Sequence, residues 1–224
     1  MFKRTLIIGV VHGCLEELGS LLNLLDYCRA HDRLVFVGDL INRGPDSMGV
    51  LELVAKLNAD CVLGNHELGF LKFLDKGVKA RSAFATLKKA MGDRVHYSKT
   101  WLENPPLFIK NEGVDPKDSF LVVHAGVDSV LEPEDTPPDI LAGVRTWDIE
   151  KGEPGGDRHP PWFAFYHGTR TVLFGHWAAG NVVMRSNVIG LDSRCVYGDF
   201  LSGLSWPDRV LYQIPSKCVY HSGD

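Results

Sequence analysis

The stretch VFVGDLINRG, Val35 to Gly44, is an apolar strand that stops abruptly at a carboxylate and a run of turn residues. The same transition recurs in LIIGVVHGCLEEL from Leu6, CVLGNHE from Cys61, LVVHAG from Leu121 and TVLFGHW from Thr171. Near-continuous apolar runs of this length belong to strands buried on both faces. Helical patterns separate the first three. Leu15, Leu18, Leu21, Leu22 and Leu25 recur at helical spacing, with Glu16 and Glu17 in the first turn, where carboxylates suit the helix dipole. DSMGVLELVAKL predicts a second helix with Asp46 or Ser47 as its N-cap. The order β-α-β-α-β implies an α/β fold with a parallel sheet covered on both faces.

Past Glu67 the pattern turns helical, in LGFLKFL and ARSAFATLKKAM. TWLENPPLFI reads as a helix end followed by a turn. Leu131 to Pro161 is rich in Pro, Gly, Asp and Glu, which predicts a long loop with one ordered piece around VRTWDI. The tail segments NVVMRSNVIGLDS, FLSGLSW and RVLYQIP are short and separated by turn residues, predicting an antiparallel end to the fold. With no internal repeat or linker, a single domain over residues 1–224 is expected.

Composition narrows the function. The chain has 224 residues, 45% hydrophobic and 23% charged, which supports a real core. A net charge of −4 argues against non-specific binding to nucleic acid or to an anionic membrane. It leaves phosphorylated substrates open, because a bound metal can supply positive charge locally. Five widely spaced cysteines without a CxxC argue against a disulfide framework and against a structural zinc site built from them. The first apolar run is too short for a signal or membrane segment, so a cytoplasmic location is expected. The oligomeric state stays open.

In α/β sheets ligands collect at the carboxyl ends of the strands. Here those ends carry His12, Asp39, Asn65 with His66, His124 and His176, in the glycine-containing motifs HG, GD, GNH, HAG and GH. Taken singly, each has a structural reading. A strand-end histidine is commonly a packed residue, Asp39 can cap a loop, Asn65 can cap a helix, and Arg43 and Arg145 are surface charges by default. Five successive strand ends with ligand-type side chains are hard to explain by separate structural needs. Imidazole, carboxylate and amide oxygen together suit Mn, Fe or Zn better than Ca or Mg. Two such ions about 4 Å apart clamp a phosphoryl group and activate a water. Arg43 and Arg145 offer forks for phosphate oxygens. Trp147, Trp162 and Trp177 are packing residues by default, with Trp147 and Trp162 also candidates to stack on a base.

The motifs GDLINRGPDS, GNHE, VVHAGV and LFGHWA resemble those of metallophosphoesterases of the phosphoprotein-phosphatase group. PPWFAFYHGTRTVLFGHWA and GLDSRCVYGDFLSGL extend the resemblance to bacterial symmetrical diadenosine tetraphosphatase-like phosphatases, over about Leu6 to Gln213. That resemblance implies a sandwich of two mixed β-sheets flanked by helices, and two divalent metal ions. It implies that Asp39 bridges the metals, His12 sits on the first, and Asn65, His124 and His176 hold the second. It makes His66 the acid for the leaving oxygen, and Arg43 and Arg145 the phosphate ligands.

Two positions depart from that pattern. The family's first motif reads Gly-Asp-any-His-Gly, but here it reads GVVHG, with Val10 in place of the metal-binding Asp. The first site is therefore expected to be weakened, and no replacement carboxylate is evident in sequence, since Glu16 and Glu17 fall in the following helix. Asn42 stands where many phosphoprotein phosphatases carry an Asp that orients the acid histidine, and the tetraphosphatase branch also lacks that acid. The expected activity is hydrolysis of dinucleoside polyphosphates or a related phosphate ester. The alternatives are a Ser/Thr or Tyr protein phosphatase, and a catalytically impaired phosphate- or nucleotide-binding protein.

Overall fold

The computed structural model describes residues 2–76, 82–113, 115 and 118–223. Two five-stranded mixed sheets pack face to face between helices. The first has the order β12-β11-β1-β2-β3. β1 (Arg4–Ile8), β2 (Asp32–Phe36) and the edge strand β3 (Asp60–Cys61) are all parallel, with Ile8 beside Phe36 and Phe36 beside Cys61. β11 (Phe200–Trp206) runs antiparallel to β1, and β12 (Val210–Pro215) antiparallel to β11. The second sheet has the order β4-β5-β8-β10-β9. Here β5 (Phe120–Val123), β8 (Thr171–Phe174) and β10 (Val188–Gly190) are parallel, flanked by antiparallel edges β4 (Phe108–Asn111) and β9 (Val183–Met184). A separate ribbon pairs β6 (Trp147–Asp148) with β7 (Glu153–Pro154).

Side-chain alternation explains the unbroken apolar runs. Ile7, Val35 and Val37 face the second sheet and meet Phe120, Val122, Leu173 and Ile189 there. Their neighbours Leu6, Ile8, Leu34 and Phe36 face outward, onto α1 (Leu15–Leu24) and α2 (Ser47–Leu57). The second sheet turns Leu121, Val123, Val172 and Phe174 outward onto Trp147, Trp162 and Phe163. The central strands are covered on both faces as expected, but one cover is another sheet rather than a second layer of helices. Asp46 caps α2, its side chain accepting from the Gly49 N–H at 2.7 Å, a contact worth about 1 kcal/mol.

TWLENPPLFI is a helix end followed by a turn as expected, and that turn leads into the half-buried edge β4, which pairs with β5. Two local expectations are corrected. The loop from Leu131 contains the helix α6 (Pro138–Gly143), where Pro138 occupies the first helical turn, the one place proline suits. The tail is not wholly antiparallel: β10 joins the second sheet parallel to β8. The helical pattern after Glu67 appears as α3 (Asn65–Lys76) and α4 (Ser82–Met91), followed by α5 (Val95–Leu102). Ala80 and Arg81 of ARSAFATLKKAM lie outside the described residues.

Candidate active site

The carboxyl ends of β1, β2, β3, β5 and β8 meet at one rim of the sandwich. His12, Asp39, Arg43, Asn65, His66, Arg145 and His176 line a cavity there of about 470 Å³. His124 lies fully buried beneath them. All eight residues singled out from sequence are thus brought together. Asp39 is the hub. Its Oδ2 is 3.3 Å from His124 Nε2, 3.6 Å from His12 Nε2 and 3.9 Å from His66 Nε2. Asn65 Oδ1 is 3.0 Å from both His124 Nε2 and His176 Nδ1.

Hydrogen bonding fixes which ring nitrogens carry lone pairs. A carbonyl only accepts, so His12 Nδ1–H donates to Ile41 O at 3.0 Å and His124 Nδ1–H donates to Val37 O at 2.7 Å. His12 Nε2 is thereby left with a lone pair for a cation, whereas His124 Nε2 faces the acceptors Asn65 Oδ1 and Asp39 Oδ2 and carries a proton that a cation has to displace. Asn42 Oδ1 accepts from the Arg43 N–H, which directs its Nδ2–H onto His66 Nδ1 at 3.0 Å. His66 then carries its proton on Nε2, toward the cavity. Arg145 Nε–H donates to His176 Nε2 at 3.1 Å, and Arg43 Nη1 stands 3.3 Å from His12 Nε2.

The electrostatics describe a pocket that wants positive charge. Burial opposes ionisation of Asp39, yet His124 and His66 hold its carboxyl well below the usual carboxylate range. Burial also opposes a charge on His124, but the Asp39 carboxylate outweighs it and pushes the imidazole up to about 9. Burial lowers His66 to about 3 and His176 to about 3, and it lowers His12, each only partly offset by Asp39. Two groups of donors result, His12–Asp39–His66 and Asp39–His124–His176, each with its ligand atoms within 4.8 Å of one another. Imidazole and carboxylate donors sharing one carboxylate fit divalent cations of the Mn, Fe or Zn type.

Backbone strain accompanies this aiming. His12, Asp39 and His176 have φ of 46°, 54° and 58°, a region costly to residues with a Cβ, at about 1–3 kcal/mol each. Gly64 is a necessity of packing, since a Cβ there would run into the Asp39 carboxylate. Glu67 holds the turn after β2. Its buried carboxylate accepts from the N–H groups of Asp39 (2.8 Å), Leu40 (2.9 Å), Ile41 (3.2 Å) and Gly64 (2.9 Å). Burial, reinforced by Asp39, raises its carboxyl to about 7. Sequence reading treats Glu67 only as part of a helix start, and GNHE gives no hint of the four amides it collects.

Val10 is buried, 4% exposed, within the core between the sheets, and its Cγ2 lies 2.7 Å from where a Cβ on Gly175 would stand. It offers the cavity no donor atom. One further carboxylate lines the cavity. Asp192, two residues past the end of β10, lines the same cavity, and Leu191 packs so closely on Gly9 that a side chain there would strike the Leu191 carbonyl. Burial raises the Asp192 carboxyl, with the positive character of His12 as the leading opposing influence. Among the described residues Asp192 is not one of the ligand-type groups that gather within 4.8 Å around His12 and Asp39, so it is a neighbouring acid of the cavity rather than a member of that cluster. The signal was present in sequence: VIGLDS ends an apolar run at an acid, as VFVGD does.

Trp147 and Trp162 are packed in the outer core of the second sheet, Trp162 with its ring 5.1 Å from that of Phe174, so neither serves as a stacking platform. Tyr197 is the aromatic side chain that lines the cavity, with the Arg43 guanidinium 5.6 Å from its ring centre.

A family description, the calcineurin-like phosphoesterases, matches residues 3–180. The chain belongs to this family. The calcineurin-like phosphoesterase described here is 29% identical to the symmetrical bis(5'-nucleosyl)-tetraphosphatase of Vibrio parahaemolyticus, over 93% of this chain and 97% of that one. It is 30% identical to the enzyme of the same name from Aromatoleum aromaticum, over 92% of this chain and 95% of that one. A crystal structure provisionally assigned as a diadenosine tetraphosphatase superposes with a TM-score of 0.81 at 32% identity, covering 95% of this chain and 93% of that one. This calcineurin-like phosphoesterase is a hydrolase of metal-dependent type. Among its described residues no helix is long and apolar enough to cross a membrane.

Proposed function

We propose that this phosphoesterase hydrolyses dinucleoside polyphosphates, or a related small phosphate ester, in the cytoplasm. The observation that carries the reading is the convergence of three imidazoles on the single buried carboxylate of Asp39, with Arg43 and Arg145 at the same cavity. The names of the relatives support the nucleotide substrate. Asn42, in place of an acid behind His66, agrees with it. Five free cysteines agree with a reducing compartment.

Asp39 with His12 would hold a first divalent cation, and Asp39 with Asn65, His124 and His176 a second, both of the manganese, iron or zinc type. Such cations supply Lewis acidity and an acidified water at neutral pH. Arg43 and Arg145 donate to the non-bridging phosphate oxygens, stabilising charge as it develops. His66 presents Nε2–H to the leaving oxygen, and Asn42 keeps the ring in that orientation. Val10 deprives the first group of an anionic ligand, which weakens a divalent site because a partly buried double charge loses direct compensation. Asp192 supplies negative charge from the adjoining strand end in its place. Val10 also favours a second reading, a phosphate- or nucleotide-binding protein with impaired chemistry.

The test counts bound manganese per chain and compares hydrolysis of diadenosine tetraphosphate with that of a phosphopeptide, in the native chain and in Val10→Asp. The proposal expects about one tightly bound ion rising to about two, and a kcat/KM on the dinucleotide at least about tenfold higher in the variant. Preference for the phosphopeptide would replace the substrate assignment by a protein phosphatase. Tight nucleotide binding without turnover in both chains would establish the second reading.

A further inference from the structure

Behind the cavity, the turn after β1 and the turn after β10 bring two thiols and a carboxylate to one buried spot. Cys14 precedes α1, Glu17 lies in the first turn of that helix, and Cys195 opens the short helical turn Cys195–Tyr197. Their exposures are 0%, 1% and 2%. One ligand atom from each lies within 4.8 Å of the others. The Glu17 carboxylate is half satisfied. Its Oε1 accepts from the Lys217 N–H at 3.0 Å and the Tyr220 hydroxyl at 2.8 Å, while its Oε2 is buried without a hydrogen-bond partner. Stranding a buried acceptor is unfavourable, more so for a charged group. The phosphoester chemistry uses none of these three residues.

We propose that Cys14, Glu17 and Cys195 bind a thiophilic divalent cation, of the zinc or cadmium class, at a third site separate from the phosphoester centre. Zinc takes thiolate sulfur at about 2.3 Å and carboxylate oxygen at about 2.0–2.2 Å, which puts two thiolates about 3.8 Å apart in a tetrahedral site. Separations bounded by 4.8 Å close to that geometry by small side-chain rotations. The cation engages Glu17 Oε2, the atom the fold leaves without a partner. Two thiolates select against the harder cations that carboxylate and imidazole accept, so the two centres sort different metals. Sequence spacing argues against a metal site built from the cysteines; the proposal rests instead on folding, which brings Cys14 and Cys195 together.

The site also bears on the cavity. Glu17 fastens the segment from Lys217 to Tyr220, and the N–H groups of Tyr220 and His221 bond to Val196 O, each at 3.0 Å. His221, Ser222 and Gly223 continue from that segment as one wall of the phosphoester cavity. A cation held by Cys14, Glu17 and Cys195 therefore clamps that wall to α1.

Titration of the reduced, metal-free full chain with cobalt or cadmium tests this through thiolate-to-metal charge-transfer absorption, a signal that no sulfur-free phosphoester ligand can give. One equivalent per chain is expected to produce the band, and Asp39→Asn should retain it. Cys28→Ser, at an exposed thiol, should retain it as well. Cys14→Ser and Cys195→Ser should lose it. Glu17→Gln keeps an acceptor for Lys217 and Tyr220, so it should fold, and should bind at least about tenfold more weakly. No band in the native chain, a band that survives both serine variants, or a Cys14–Cys195 disulfide whose reduced form takes up no cation would each overturn the proposal.

Discussion

The two halves of the phosphoester centre are built to different standards. Around His176 and His124 every donor is oriented by a second contact: Val37 O fixes one ring, Arg145 meets the other, and Asn65 Oδ1 sits between both. Around His12 the ring is equally well oriented by Ile41 O, but the strand end beside it offers the apolar Val10, and the further acid of the cavity, Asp192, comes from another strand end. Orientation of ligands and supply of charge are thus separable properties.

That contrast breaks most readily at its histidines. His176→Gln should remove the tightly held manganese and lower hydrolysis by about 10³-fold, whereas His12→Gln should leave about one ion bound per chain. Metal analysis after gel filtration checks both, and equal loss in the two variants would erase the asymmetry. A smaller effect concerns protons. Without metal, His124 is raised to about 9, so its contribution to stability is full below the unfolded value of about 6.5 and is lost as pH rises through about 9. His66 and His176, lowered to about 3, contribute above about 6.5 and lose that contribution as pH falls toward 3. Manganese must displace the His124 proton, so its affinity should rise about tenfold per pH unit from about 7 to 9 and then level off. Calorimetry in buffers of differing ionisation enthalpy checks this, and a flat profile would mean that His124 is already neutral. Smallest is the effect of Glu67→Gln, which removes a charged acceptor of four amides and should lower stability by about 1–3 kcal/mol in denaturant melts, with metal content retained.

Much of this was legible in the chain itself. Asp39, His124 and His176 are legible because each ends an apolar run within two residues of a glycine, and a strand end has only one rim to face. The helices α1 and α2 followed from leucine spacing and from Asp46 as a cap. What escaped depended on tertiary neighbours. Glu67 reads like any first-turn acid until the loop after β2 closes over it. β4 lacks an alternating pattern because all four of its residues are half-buried. Asp192 is not legible because the short tail segments read as antiparallel strands, whereas β10 lies parallel to β8 and its end reaches the shared rim.

The Glu67 clamp has a practical corollary for hydrogen exchange. The amides of Asp39, Leu40, Ile41 and Gly64 are bonded to a side chain of α3 rather than to a neighbouring strand, so their deuterium uptake reports on the docking of that helix. Slow uptake there in protein stripped of metal would mean that the hub aspartate is held ready before any ion arrives.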